Sequence, residues 1–260
     1  MTPCRSNPCS CVFGALLALL LAPSAVAADD NDAVTPYRPS VSSPAQLPVA
    51  GQLELELGGL HARSGDSRRS SLPYQLKLAF NAEWGVLLGG EAQVWQYDGV
   101  DHARGVGDTS LVLKRAWTLD EASALGMELG VKLATAKDAI GSGKADTTVN
   151  TIYSRDFGSV HMDANLNATR LGAADPGTSR TQLGASASFS TPLTEQWGVT
   201  GEVSGTHRGG ADNGVQVLAA LAYSPTKRLT FDIGIARAPR PSPGGTSVFA
   251  GVVFPIARLW

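Results

Sequence analysis

The chain has 260 residues, of which 43% are hydrophobic, 17% are charged and 29 are glycine, and its formal net charge is −2. That length suits a single all-β barrel domain. A chain with this near-neutral charge lacks the excess of basic residues that nucleic-acid binding requires, so no nucleic-acid partner is expected.

The N-terminal residues have the features of a secretory signal peptide. Arg5 supplies a positive charge, residues 12–22 form an apolar core, and an A-x-A cleavage site ends at Ala27. The apolar core is too short to span a membrane as a helix. We therefore predict a signal peptide over residues 1–27. All three cysteines precede the apolar core, so the mature chain is expected to contain no disulfide.

Residues 28–50 are rich in proline and in small polar residues. Prolines at this density prevent helix formation and interrupt β-sheet hydrogen bonding, so the segment is expected to be extended. Because its composition is typical of a linker, we predict a Pro-rich periplasmic linker over residues 28–50. The alternative is that the segment folds into the mouth of the domain that follows.

From Gly51 onward, apolar and polar residues alternate almost to the end of the chain. In residues 124–135 the odd positions from Leu125 to Leu133 are all apolar, whereas the even positions are small or charged. Successive side chains of a β-strand point to opposite faces, so this pattern predicts a strand with one apolar and one polar face. About ten residues is also the length that a tilted strand needs to cross a bilayer. We count about twelve such segments over residues 51–260.

Short and long connections alternate between these segments. Residues 81–83 and 156–158 are tight turns, for example, whereas residues 63–71 and 136–144 form longer, polar, glycine-rich connections. All tight turns then lie at one end, as in outer-membrane barrels with periplasmic turns and longer external loops. Aromatic residues flank the tight turns, as an interfacial girdle requires, whereas a soluble β-sandwich would place them in its core. We therefore predict an all-β fold, a transmembrane antiparallel up-and-down β-barrel of about 12 strands over residues 51–260.

Three segments resemble an outer-membrane family described as "MetA-pathway of phenol degradation". They are the Pro-rich entry Tyr37–Gly58, the segment Tyr74–Glu91, and the segment Gly105–Trp117, which begins G-V-G-D. The resemblance is one of pattern and covers nearly the whole mature chain. It implies an outer-membrane barrel that passes small compounds, aromatic ones among them, and it supplies no catalytic motif.

Motifs for catalysis and metal binding are not found in the sequence. Gly141–Lys144 resembles a phosphate-binding loop, but Asp138 and Ala145 do not fit the required spacing. The four histidines lack the spacing of metal ligands, and nothing marks a Ser-His catalytic pair. We expect no catalytic residue, no metal and no cofactor.

The polar face of each strand should line the lumen of the barrel. A barrel of about twelve strands is wider than the eight-stranded kind that its own side chains can fill. Both signs of charge occur on the polar face, so these residues either surround a hydrated path or pair inside a packed barrel. The predicted lumen-lining residues are Lys77, Glu91, Asp108, Lys114, Glu128, Lys132, His161, Asp163, Asn165, Glu202 and Asp232.

The sequence predicts a channel or facilitator in the cell outer membrane for the passive passage of small molecules, aromatic or hydrophobic ones included. The expected partners are outer-membrane lipid, small-molecule solutes and the barrel-assembly machinery during biogenesis. The alternative is a non-conducting structural or adhesive barrel that acts through its external loops. A barrel enzyme ranks third, because no catalytic constellation is present.

Overall fold

Thirteen β-strands follow one another in the computed structural model, which describes residues 33–137, 139–239 and 244–260. The predicted signal peptide, residues 1–27, lies outside the described residues. Within them, no helix is long and apolar enough to cross a membrane. The strands are β1 (Gln52–Ser64), β2 (Ser67–Ala79), β3 (Trp84–Tyr97), β4 (His102–Gly105), β5 (Thr109–Asp120), β6 (Ser123–Leu133), β7 (Asp146–Phe157), β8 (Val160–Arg170), β9 (Thr181–Pro192), β10 (Trp197–Arg208), β11 (Gly214–Thr226), β12 (Leu229–Ala238) and β13 (Gly245–Arg258).

Twelve of these strands close into an antiparallel barrel. Neighbours in sequence pair with each other, β3 pairs with β5, and β13 pairs with β1 to close the ring. The short strand β4 is an addition to the ring, because it pairs with the last four residues of β3. Closure pairs the strand edges with each other, as a β-structure in a membrane requires. This architecture confirms the predicted all-β barrel of about twelve strands.

The alternating sequence pattern separates the outer face of the barrel from its inner face. On β6, Leu129 is 48% exposed, whereas its neighbour Glu128 is 8% exposed. Large apolar side chains therefore face outward and charged ones face inward, the reverse of a soluble protein. Exposed apolar residues continue around the barrel, from Leu57 on β1 to Val248 on β13. An apolar outer band of this kind matches the lipid-facing surface of a membrane barrel.

The two ends of the barrel differ. At one end, called here the turn end, the strands join through short turns such as residues 80–83 and 158–159. At the other, called here the loop end, the connections include the longer residues 171–180 and 209–213. One predicted loop is wrong, because residues 63–71 belong to the β1–β2 hairpin, which turns at Gly65 and Asp66. The polar composition of these residues suggested a loop. Strand pairing, however, satisfies the backbone hydrogen-bonding groups of a hairpin whatever its side chains are.

Aromatic side chains surround the outer face of the turn end, as predicted. The rings of Trp197 and Tyr223 pack with centroids 4.7 Å apart. The guanidinium of Arg115 lies 4.9 Å from the ring centre of Trp84 and 4.7 Å from that of Trp117. Aromatic rings and the stems of long basic side chains are both stable at the boundary between lipid and water. The turn end therefore has the composition of a membrane interface.

Residues 33–50 correct the prediction of a periplasmic linker, because they lie inside the barrel. Tyr37 is 7% exposed and Ala45 is fully buried. The segment enters beside the β11–β12 turn, where the amide of Val34 donates to the Lys227 carbonyl at 2.9 Å. It leaves at Ala50, which bridges to β2. A linker-like composition could not reveal this position, since the partners of the segment are side chains far away in the sequence.

Candidate functional site: the barrel interior

The first part of the interior segment is held by two glutamates of β1. The amide of Thr35 donates to Glu54 at 3.2 Å, and the amide of Tyr37 donates to Glu56 at 2.7 Å. Lys77 on β2 pairs with both carboxylates, at 3.0 Å and 2.6 Å, and its side chain is fully buried. Charges buried this deeply are tolerated only when they are paired and hydrogen-bonded, as these three are.

The ring of Tyr37 lies between two lysine side chains. The Nζ atoms of Lys77 and Lys114 are 4.4 Å and 4.1 Å from its ring centre, within the range of cation–π contacts. Its hydroxyl donates to the Gln46 carbonyl at 2.7 Å, which joins the two arms of the segment. Burial, with a further contribution from nearby carboxylates, raises the pKa of Tyr37 well above its ordinary value. The phenol therefore remains a neutral donor.

Arg38 anchors the segment to β12, two strands away from β1 in the ring. Its Nε and Nη2 atoms each donate to Asp232 of β12 at 3.0 Å. Gly58 and Gly251 leave the space for the guanidinium, and a Cβ atom at Gly58 would lie 2.7 Å from Nη1 of Arg38. The two parallel bonds fix the orientation of both groups as well as their distance.

The tip of the segment is bound by β10. The amides of Val41 and Ser42 donate to the same carboxylate oxygen of Glu202, at 2.8 Å and 2.9 Å. The Ser42 hydroxyl reaches Ser186 of β9 at 2.9 Å. Val41 itself is 59% exposed, although the strands of the barrel surround it. The interior on the loop-end side of Val41 is therefore open to water, and we call this space the vestibule.

The returning arm contacts β5 and β6 through a chain of polar groups. Lys114 donates to the Pro44 carbonyl at 2.5 Å and pairs with Glu128 at 3.0 Å. Asn150 donates to Glu128 at 2.9 Å and to Asn165 at 3.0 Å. These contacts connect the segment to four neighbouring strands, β5 to β8.

The next residues of that arm contact β7 and β8. Asn165 accepts from the Ser43 amide and donates to its carbonyl, both at 2.9 Å. The amide of Ala45 donates to Ser154, whose hydroxyl donates to Asp163 at 2.5 Å. The interior segment is therefore held almost entirely by side chains of the wall, with little β-pairing.

A second polar cluster lies at the loop end. Lys132 pairs with Asp108 at 2.9 Å and with Asp146 at 3.1 Å. Burial favours a raised pKa for Asp108, but hydrogen bonds from Lys132 and from the Ala136 amide outweigh it and hold the pKa below its usual range. Asp108 thereby ties the β6–β7 connection to the barrel rim.

The predicted lumen-lining residues fall into three groups in the structure, and their role as the lining of a solute path stays a prediction. His161 lies near the turn end between Asp156 at 2.6 Å and Asp163 at 3.1 Å. Three belong to polar clusters at the loop end, namely Glu91, Asp108 and Lys132. The others lie around the interior segment: Lys77, Lys114, Glu128, Asp163, Asn165, Glu202 and Asp232.

The sequence pattern did not identify several residues of the interior site. Glu54 and Glu56 alternate with outward leucines on β1, and that pattern alone could have identified them as inward. Arg38 and Tyr37 carry no such signal, because their segment belongs to no strand. Arg69 pairs with Glu91 at 2.5 Å, but it lies in the stretch predicted to be a loop. Among the described residues, no group of three or more His, Asp or Glu side chains could hold a metal ion.

The vestibule side of the interior also contains an apolar patch. Leu218, Ala220 and Ala236 form a buried cluster against which the ring of Phe249 packs. Two acceptors near the segment, Asn150 Oδ1 and Glu202 Oε1, are buried and have no hydrogen-bond partner among the described residues. The acceptors and the apolar cluster are both buried, so a solute would reach them only if the segment moved.

Comparison with known proteins supports the fold class. No family model and no curated protein sequence matches the chain. Among solved structures, the COG4313 outer membrane channel from Pseudomonas putida F1 superposes with a TM-score of 0.65 at 13% identity, covering 89% of this chain and 100% of that one. The KdgM porin in complex with disordered oligogalacturonate superposes with a TM-score of 0.56 at 10% identity, covering 78% and 99%. The chain therefore has the fold of outer-membrane barrel channels.

Proposed function

We propose that the protein is an outer-membrane channel for the passive passage of small molecules. The observation that carries the proposal is a closed twelve-stranded barrel whose vestibule is open to water and whose other half holds residues 33–50. The signal peptide over residues 1–27, the outer-membrane location and insertion by the barrel-assembly machinery belong to the same proposal. The proposal includes an orientation, in which the turn end faces the periplasm and the loop end faces outward.

Residues 33–50 act in this proposal as the closure of the channel. The segment is attached through side-chain contacts such as Arg38–Asp232, and only Ala50 bridges to a strand. Its displacement would leave every strand pair of the barrel intact. A structure that can exchange two arrangements without unfolding is what a gate requires.

The character of the interior supports small solutes with an apolar part. Once the segment is displaced, Phe249 and its neighbours would offer apolar contact, and the unpaired acceptors of Asn150 and Glu202 would suit a hydroxyl or amine donor. Aromatic and hydrophobic compounds with one polar group fit this combination. The "MetA-pathway" resemblance points to the same class.

A liposome uptake assay with the purified chain tests this function. Phenyl glucoside, an aromatic solute that bilayers exclude, would be compared with a sugar of similar size, and protein-free liposomes would give the background. We expect protein-dependent uptake that is faster for the aromatic solute. Uptake of neither solute above background would contradict the proposal.

The contacts of the segment also favour a second candidate, a barrel that conducts nothing and acts through its external loops. Lys77 and Lys114 are fully buried and paired, as in a permanently packed interior. In that case the interior segment is a structural core, and its displacement never occurs in the native protein.

A further inference from the structure

Outward side chains at the loop end of β1 to β4 form a basic surface. Cross-strand pairing places His102, Tyr97, Arg68 and Arg63 in one row. The adjoining row contains Arg104, Trp95, Ser70 and His61. Cross-strand neighbours lie about 5 Å apart, so these side chains share one small area. We call the eight residues of these two rows the rim patch.

The first row continues to a further arginine beyond the patch. Arg63 is opposite Thr246 of β13, and Thr246 is opposite Arg237 of β12. Arg237 is exposed, like Arg63, Arg68 and Arg104. Four arginines therefore face outward on neighbouring strands of one side of the barrel.

The arginines of this surface form no ion pairs with carboxylates of the described residues. Arg63 and Arg68 are directly opposite each other, an arrangement that is destabilising for like charges. Within the described residues, no ion pair joins Arg63, Arg68, Arg104 or Arg237 to a carboxylate. The Arg63 guanidinium donates to the Gly65 carbonyl, which carries no net charge. The nearby acids Asp66, Asp98 and Asp101 lie in the turns beyond the rows. An anion bound between the arginines would remove their mutual repulsion.

Aromatic groups complete the rim patch. The ring of Tyr97 stacks on His102 with centroids 4.6 Å apart, and Trp95 is 46% exposed on the outer face. A cavity of about 480 Å³ opens among Arg68, Trp95 and Arg104. Below it on the same face, Leu57 and Leu72 are exposed apolar side chains of the lipid-facing band. The rim patch thus lies where hydrocarbon meets the headgroup layer.

From this arrangement we propose that the rim patch binds the phosphorylated glycolipid of the outer leaflet, the lipopolysaccharide, through its glucosamine phosphates. Arginine forks match phosphate oxygens, and the exposed Trp95 packs against the sugar or the upper acyl chains. The site lies on the outer wall and is independent of the channel proposal, but it requires the loop end to face outward. Clusters of basic residues beside a membrane bind anionic headgroups in the same way.

Binding can be measured by native mass spectrometry on the full-length mature chain in detergent. The probe is bisphosphorylated lipid A, compared with the same lipid after removal of its phosphates and with phosphatidylglycerol. We expect the phosphorylated lipid A to bind at least about tenfold more tightly than either, and Arg63→Gln/Arg68→Gln/Arg104→Gln to lose at least about tenfold. Inorganic phosphate at millimolar concentration should not abolish binding, because the acyl chains contribute.

Arg170→Gln is the matched control, because Arg170 is an exposed arginine at the loop end of β8 with no neighbouring arginine in its pairs. It should leave the affinity unchanged. Heat-modifiable gel mobility would verify that each variant forms the barrel. Equal affinity of the triple variant and the unaltered chain, or equal binding of dephosphorylated lipid A, would overturn the proposal. So would a loss in Arg170→Gln as large as in the triple variant.

Discussion

Arg38 and Asp232 are 194 positions apart in the sequence, and their side chains form two parallel hydrogen bonds of 3.0 Å inside the barrel. The Asp232 side chain is 2% exposed and that of Arg38 is 18% exposed. This pair is a bidentate ion pair between the interior segment and β12. It connects the position of residues 33–50 to the stability of the whole barrel.

Arg38→Ala should destabilise the barrel by about 3 kcal/mol, because it leaves the buried Asp232 carboxylate without its partner. The double variant Arg38→Ala/Asp232→Asn removes that charge and should recover at least half of the loss. Urea unfolding in lipid vesicles measures both. A double variant no more stable than the single one would show that the pair has no special role.

The outward facing of Leu129 on β6 and Val215 on β11 predicts different costs for an arginine at each position. Leu129→Arg places a charge within the apolar band and should cost about 2–4 kcal/mol. Val215→Arg, at the loop end of β11, should cost about 0–1 kcal/mol. The same unfolding assay applies, and equal costs would contradict the assignment of the outer face. Glu128→Gln, next to Leu129, should also be costly, because Lys114 then loses its buried partner.

Asp108 should make part of the stability dependent on pH. Its pKa is lowered in the folded protein, so its contribution is complete above the unfolded value of about 4 and disappears as the pH falls through the folded value. The free energy of unfolding should therefore decrease less between pH 5 and pH 3 in Asp108→Asn than in the unaltered chain. Asp212→Asn, in an exposed connection, should keep the original profile. Identical profiles for all three proteins would rule out the contribution.

The orientation proposed for the barrel can be tested by epitope insertion. An epitope between Gly65 and Asp66, at the tip of the β1–β2 hairpin, should be detected on intact cells. The same epitope between Gly158 and Ser159 should be detected only after the outer membrane is permeabilised. The opposite result would mean that the turn end faces outward, and it would also remove the basis for lipopolysaccharide binding at the rim patch.

The fold could be predicted from the sequence because a period of two is visible in most of the strands. Alternation such as that from Leu125 to Leu133 specifies which face is apolar, and the short turns specify which ends lie together. The prediction fails at residues 63–71, where polar side chains on both faces at the rim hide the strand. There apolar and polar residues no longer alternate, so the pattern cannot report which face is buried.

The interior site was less predictable, because it depends on contacts between distant parts of the chain. Inward residues such as Lys114 and Glu202 follow from strand alternation alone. Their partners Pro44, Val41 and Ser42 do not, since a proline-rich segment shows no periodicity that indicates burial. Backbone amides and carbonyls of that segment supply many of the contacts, and these groups leave no signal in the pattern of side chains.

The wall around the interior segment has an excess of negative charge once the segment is removed. Four carboxylates accept hydrogen bonds from its amides or from Arg38, whereas only two lysines lie among them. The charged residues of this part of the wall are six carboxylates and two lysines, namely Glu54, Glu56, Glu128, Asp163, Glu202 and Asp232, with Lys77 and Lys114. A barrel without residues 33–48 should therefore favour cations.

Planar-bilayer recording under a KCl gradient, on the full mature chain and on a variant lacking residues 33–48, tests the central claim most directly. Heat-modifiable gel mobility would first verify that the variant forms the barrel. We predict low conductance for the full chain, and a several-fold larger, cation-selective conductance for the variant. A folded variant that passes no more current than the full chain would contradict the claim that residues 33–50 close a channel.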